Sequence, residues 1–129
     1  MRKVYCLLNH NLSEKQISEL KEKFHAEEII YPTEELSKKW SQIPTTERID
    51  RSLIETVVLW LFASGKNDCL IVQGEMGSTF MLVDYALKNG LIPLHAVSER
   101  KTVEKKDEDG TSVKTAIFEH VCFRKYERW

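Results

Sequence analysis

Gln73-Gly74-Glu75-Met76-Gly77-Ser78-Thr79 holds the densest set of groups able to do chemistry in this chain. Two glycines let backbone approach a bound group closely, and Ser78 and Thr79 add hydroxyl donors. The apolar run from Cys69 to Val72 precedes the stretch, led in by Lys66-Asn67-Asp68, and the helical pattern Phe80, Met81, Val83, Ala86, Leu87 follows it. Strand, tight turn and helix in that order aim N–H groups and the positive end of a helix dipole at one point beyond the strand, where phosphate or another anion fits. Glycine after a strand also serves any tight strand-to-helix connection, so a purely structural turn fits the same residues.

The other reactive side chains are scattered. Asn9 and His10 follow the apolar run Val4 to Leu8, Ser98-Glu99-Arg100 follows the run Leu91 to Val97, and His120 and Arg124 lie in the last strand-like stretch. His25 sits amid charge and reads as solvated, while Trp40 reads more readily as packed under a loop than as stacked on a base. Trp60 lies off its helical stripe, facing a partner or a neighbouring element, or forming a helix edge covered by the connector. No Asp, Glu or His group has metal-ligand spacing, and the acidic run 107–109 reads as a solvated turn. Neither Gly-Lys-Ser/Thr after the glycines, nor GxGxxG, nor GxSxG is present, so the fingerprints of ATP hydrolysis, dinucleotide binding and a serine nucleophile are missing. Amide donors, hydroxyls, imidazoles and guanidiniums remain, which suits anion binding and metal-free phosphodiester cleavage without a cofactor.

The elements that must position these groups follow from periodicity. Val4 to Leu8 predicts a buried strand, and Ser13 with Gln16 predicts a capping box for a helix carrying Ile17, Leu20 and Phe24. Glu28 to Tyr31 predicts a second strand closed by Pro32, and residues 33–47 a connector without sustained periodicity. Leu53, Ile54, Val57, Val58, Leu61 and Phe62 mark an amphipathic helix ending near Gly65, and the helix after the glycine turn stops at Asn89-Gly90. Leu91 to Val97 predicts a strand with Ser98 to Arg100 at its carboxyl end, and Asp109-Gly110 a hairpin turn. Phe118 to Tyr126 alternates imperfectly, with His120, Cys122, Arg124 and Tyr126 on one face and Phe123 on the other. The order predicts an α/β fold: a three-layer Rossmann-like, mostly parallel sheet with helices on both faces and a C-terminal antiparallel β-hairpin, over residues 1–129 as one domain. Three loops, carrying Asn9-His10, Gln73 to Thr79 and Ser98 to Arg100, then meet at the carboxyl edge, with His120 or Arg124 brought near by the last strand.

A chain of 129 residues with 42% apolar and 30% charged residues suits one core without staples, and a formal charge of −1 gives no general attraction to polyanions. Duplex DNA is therefore not an expected partner, and a nucleotide needs a local cluster of donors. No apolar run is long enough for a membrane span and no signal peptide is apparent, so a cytoplasmic location is expected. Cys6, Cys69 and Cys122 are odd in number and widely spaced, as reduced core thiols are.

Four blocks carry a resemblance to a known family: Leu8-Asn9-His10-Asn11-Leu12-Ser13 with Gln16; Asp68 through Thr79; Pro93 through Arg100; and Phe118 through Tyr126. Their content and order resemble the small Csx-twenty proteins, accessory components of type III CRISPR antiviral defence. Glu75, Met76 and Ser78 depart from that family's Gln-Gly-Asp-Phe-Gly-Ala-Thr pattern, and Val97 through Arg100 from its Thr-Thr-Arg. The resemblance implies a Rossmann-like fold and a ring nuclease that linearises a cyclic oligoadenylate messenger, with cyclic tetra-adenylate the expected ring, and so switches the response off. The chemistry asks only that a ribose 2'-OH be held in line with the departing 5'-oxygen while donors meet the phosphate oxygens.

With that reaction in view, Gly74, Gly77, Ser78 and Thr79 are expected to cradle phosphate, with Gln73 and Ser98 beside them. His10 is the first candidate acid or base and His120 the second. Asn9 would orient ribose or adenine, and Arg100 or Arg124 would stabilise charge building on phosphate. His10 could instead cap the first helix, and His120 could be a satisfied strand histidine. A twofold-symmetric ring further predicts a homodimer, with the exposed apolar surface near the central helix as its interface. A non-catalytic sensor or sequestering module and a structural subunit anchored by Trp40, Trp60 and Trp129 are the alternative readings.

Overall fold

The computed structural model describes residues 2–129. One sheet contains β1 (Arg2–Leu7), β2 (Ala26–Ile30), β3 (Cys69–Val72), β4 (Ile92–Lys106) and β5 (Ser112–Lys125) in the order β2-β1-β3-β4-β5. The first four strands are mutually parallel and β5 is antiparallel to β4. Helices α1 (Glu14–Lys23), α2 (Glu34–Ser41), α3 (Arg51–Trp60) and α4 (Met76–Lys88) complete the mixed α/β fold that the alternation of elements predicts.

Both faces of the central strands are covered, which is why β3 reads as an unbroken apolar run and all four of its residues are buried. Leu70 and Val72 pack with Tyr5, Leu7, Leu36, Trp40, Val57 and Leu82 beneath α2, α3 and α4. Cys69 and Ile71 pack with Val4, Cys6, Leu20, Leu94 and Phe123 on the α1 side. The Ser13–Gln16 capping box forms as expected, and α1 ends before His25, an exposed residue at φ +57.

Two local expectations change. Residues 33–47 contain α2, capped by Thr33, which the sequence hid because a helix of 8 residues shows just two buried positions, Leu36 and Trp40. Phe62, placed on the buried stripe of α3, is 82% exposed, because the chain tightens into a 3₁₀ turn over Leu61–Ala63. Trp60 faces a neighbouring element, one of the arrangements expected of it, its ring meeting Tyr5 of β1 edge-on at 5.3 Å.

The largest difference lies at the C-terminal end. β4 continues to Lys106 instead of stopping at Val97, so Ser98 and Arg100 lie inside a strand and not in a loop. The strand persists because β5 pairs with it residue by residue out to Lys106↔Ser112, closed by the expected turn with Gly110 at φ +82. β3 accompanies β4 only as far as Leu94, so the remainder leaves the sheet as a two-stranded arm. A bulge at Val121, between the pairs Val97↔Cys122 and Ser98↔His120, interrupts the alternation of β5. His120 and Phe123 therefore come to one side and stack at 4.8 Å, contrary to the alternating assignment.

Candidate functional site

Two clefts open at the carboxyl ends of the parallel strands. The first, of about 650 Å³, follows β1 and β2 and is lined by Asn9, His10, Tyr31, Ser37, Lys38 and Ser41 among others. The second, of about 420 Å³, follows β3 and is lined by Gln73, Gly74, Met76, Thr79, Phe80, Val83 and Tyr126. α2 serves both: its Ser37, Lys38 and Ser41 face the first, and its Trp40 lies under the turn that borders the second.

The turn itself is built from within. A β-carbon at Gly74 would stand 2.8 Å from the Trp40 ring, whose indole N–H donates to the Gln73 carbonyl at 3.0 Å. Glycine is thus required there by the buried tryptophan, which is packed under the turn and not available to a base. A β-carbon at Gly77 would meet the Ile49 side chain at 2.9 Å and the Glu75 carboxylate at 3.2 Å. Glu75 is the N-cap of α4 and accepts from the Gly77 N–H at 2.9 Å and the Ser78 N–H at 2.7 Å. The Ser78 side chain beside it and these two N–H groups hold the Glu75 carboxyl below its ordinary range. The donors of Gly77 and Ser78 expected to meet phosphate are therefore engaged by the chain's own carboxylate. Ser78 is buried and Thr79 is half-buried at the border of the second cleft; both hydroxyl oxygens are buried and have no hydrogen-bond partner among the described residues.

Gln73 fixes the turn to the next strand, its side-chain oxygen accepting from the Ala96 N–H at 2.7 Å. The Tyr126 hydroxyl donates to the Val72 carbonyl at 2.7 Å, and burial pushes that phenol up in pKa. The ring of His95 stacks on Tyr126 at 4.7 Å, and Arg124 Nε donates to His95 Nε2 at 3.2 Å. A guanidinium can only donate, so Nε2 of His95 bears the lone pair, and the terminal nitrogens of Arg124 remain for another acceptor. His95 was not among the residues expected from sequence; a histidine inside the apolar run Pro93 to Val97 was the available signal.

The remaining candidates separate. Asn9 and His10 are exposed at the first cleft, and His10 Nδ1 lies 3.0 Å from the Asn11 carbonyl. A donor is needed at Nδ1, which leaves Nε2 as the lone-pair nitrogen. Ser98 and Arg100 are exposed on β4, and Arg100 pairs with Phe118 on the arm; neither lines either of the two clefts.

His120 lies elsewhere again. Its Nε2 is 2.7 Å from Glu19 Oε1, its Nδ1 is 3.3 Å from Gln16 Nε2, and both the His120 and Glu19 side chains are 8% exposed. The Gln16 oxygen already accepts from Ser13 N–H at 3.0 Å, so its amide nitrogen must donate to Nδ1 and the His120 proton sits on Nε2. Glu19 Oε2 accepts from the Phe123 N–H at 2.7 Å. His120 is thus a satisfied strand histidine that fastens β5 to α1, and the catalytic role expected for it has no free ring nitrogen to act through.

Two of the three thiols lie in the core, where burial pushes Cys6 up to about 12 and Cys69 to about 11, whereas Cys122 is half-buried on β5. Among the described residues no group of three or more His, Cys, Asp or Glu is placed to hold a metal, and no helix is long and apolar enough to cross a membrane.

The model of the uncharacterized protein MJ1673 family matches residues 2–124. A protein of that name from Methanocaldococcus jannaschii is 31% identical over 129 residues, covering 98% of either chain. The chain belongs to the MJ1673 family. Nothing among solved structures matches it.

Proposed function

We propose that this MJ1673-family protein is a metal-independent ring nuclease that binds and linearises a cyclic oligoadenylate, cyclic tetra-adenylate above others, in type III CRISPR defence. The observation that carries this reading is the pair of clefts of unlike character at one carboxyl edge. The second has an apolar wall in which Met76 and Phe80 are 87% and 74% exposed, suited to stacking an adenine beside Gln73. The first offers His10, Asn9 and Lys38, suited to a ribose and its phosphate. The four-block resemblance to the Csx-twenty proteins supports the choice of ligand.

In the reaction proposed, a ribose 2'-oxygen forms a bond to the adjacent phosphorus as the bond to the 5'-oxygen breaks. The 2'-OH proton passes to a base, and the 5'-oxygen takes up a proton to leave as a hydroxyl. His10 Nε2 is the base on this reading and Lys38 beside it meets the oxygens of the phosphate being cleaved, while the Arg124 terminal nitrogens meet a neighbouring phosphate of the ring beside the second cleft. His95 is a positioning residue that holds the Arg124 guanidinium. A histidine general base contributes about two to four orders of magnitude in rate.

Incubation of the purified protein with cyclic tetra-adenylate in EDTA tests the reading. The expected products are linear fragments ending in 2',3'-cyclic phosphate, with the rate lowered at least about 100-fold by His10→Ala. Cleavage abolished by EDTA and restored by manganese would overturn the mechanism; tight binding without any product would make the protein a sensor instead.

A further inference from the structure

The two outer edges of the arm differ in kind. From Ser98 to Lys106, β4 has no strand on its β3 side and carries six charged residues in nine: Glu99, Arg100, Lys101, Glu104, Lys105 and Lys106. Charge of that density is how exposed strand edges are kept from pairing with other chains. β5 is the last strand of the sheet, and Glu19 of α1 reaches it at Phe123. Between Ser112 and Phe118 its outer edge has no partner among the described residues, and it carries one charge, Lys114, in seven residues. Proline is absent there, and the bulge lies beyond, at Val121. An edge this long and bare, beside one so heavily guarded, is open to a strand.

Its composition says which strand. Thr115 is the midpoint of Ser112–Phe118, and the two half-exposed apolar residues Val113 and Ile117 stand two places to either side. In an antiparallel pairing of two identical strands about a perpendicular twofold axis, a residue on the axis faces itself and residues equally spaced from it face each other. With the axis at Thr115, Val113 of each copy meets Ile117 of the other on one face. Lys114 meets Ala116 on the opposite face, diagonally beside Phe118, which is 73% exposed in a single copy. The edge is complementary to itself.

We infer that the Ser112–Phe118 edge of β5 is the docking surface for a second copy of this chain, joining two sheets into one through an antiparallel β5–β5 pair centred on Thr115. This moves the dimer contact away from α4, whose exposed Met76 and Phe80 line the second cleft. The inference does not depend on nucleotide binding.

Cross-linking of full-length protein tests it. Opposite residues in such a pair have α-carbons about 4.5–5.5 Å apart, within disulfide range. Thr115→Cys chains should therefore join to one another at that position under mild oxidation, identified by peptide mapping, whereas Thr102→Cys on the guarded edge should not. In sedimentation the unmodified protein should be a dimer, and Ile117→Lys a monomer with an unchanged circular dichroism spectrum. A monomeric unmodified protein, a dimer that survives Ile117→Lys, or cross-linking through residue 102 in place of 115 would each overturn the assignment.

Discussion

β3 and the arm are parts of one sheet held by opposite means. β3 has four residues, all buried, with a strand on either side and helices over both faces. The arm from Ser98 to His120 is exposed along nearly its whole length, with only Val103 and His120 partly covered. Strand length here is set by what the chain pairs with and not by how apolar it is. A hydrophobic run makes β3, whereas cross-strand partners such as Glu104↔Lys114 make the arm. The clefts adjoin the ends of the packed strands, where side chains are held still, and not the arm.

The strongest blow to the packed region is Trp40→Ala. Trp40 is fully buried, fills the space over Gly74 and donates to the Gln73 carbonyl. Its removal should cost about 3–5 kcal/mol, read as a lower denaturant midpoint. If the turn owes its shape to the tryptophan, ligand affinity should fall even in the fraction that remains folded. Unchanged stability would mean that the neighbours close over the cavity and the contrast with the arm is overstated.

A smaller effect is expected where the two regions join. Glu19 accepts from both His120 and the Phe123 N–H, so Glu19→Ala leaves a buried imidazole N–H and a buried backbone donor without acceptors. The cost should be about 3 kcal/mol, with faster amide exchange along β5 than along β3. Uniform acceleration across the sheet would show that the junction is part of one cooperative unit and not a fastening at its margin.

How far these features were legible in the sequence follows the same division. Periodicity disclosed the packed elements: the run at β3, the stripe on α3 and the Ser13–Gln16 box each report local spacing. α2 escaped because two apolar residues, Leu36 and Trp40, are too few to show a period. The arm escaped because charged strands on a two-stranded ribbon carry no apolar alternation. At the candidate site the loops at Asn9-His10 and Gln73–Gly74 were found at the carboxyl edge from strand order alone. That Glu75 caps α4 was not foreseen, since glutamate is not among the side chains favoured as N-caps. The burial of His120 depends on Glu19, 101 residues away, and on a bulge, neither of which leaves a local mark.

The smallest expected effect is on the arm itself. Lys101 Nζ lies 2.7 Å from Glu119 Oε2, and Lys15 of α1 approaches the same carboxylate at 3.9 Å. The hydrogen bond from Lys101, its charge and that of Lys15 lower the Glu119 pKa, and the hydrogen bond to Glu119 and its charge raise that of Lys101. A lowered carboxyl contributes stability that is present above its unfolded pKa, about 4.3, and is lost as pH falls through the folded value. A raised lysine contributes stability that is present below its unfolded pKa, about 10.4, and is lost as pH rises through the folded value. The pair should therefore steady the base of the arm between those limits and at low salt, because all three side chains are solvent-exposed and screened. The opening equilibrium at Thr102 and Phe118, read as amide exchange relative to its intrinsic rate at each pH and at a concentration dilute enough to keep the chain monomeric, should rise on acidification and in high salt. In Glu119→Gln it should be raised already and insensitive to both, while the global melting temperature barely moves. If that substitution lowered the melting temperature as far as Glu19→Ala does, the arm would be part of the packed body, and the division between the two halves of the sheet would have to be given up.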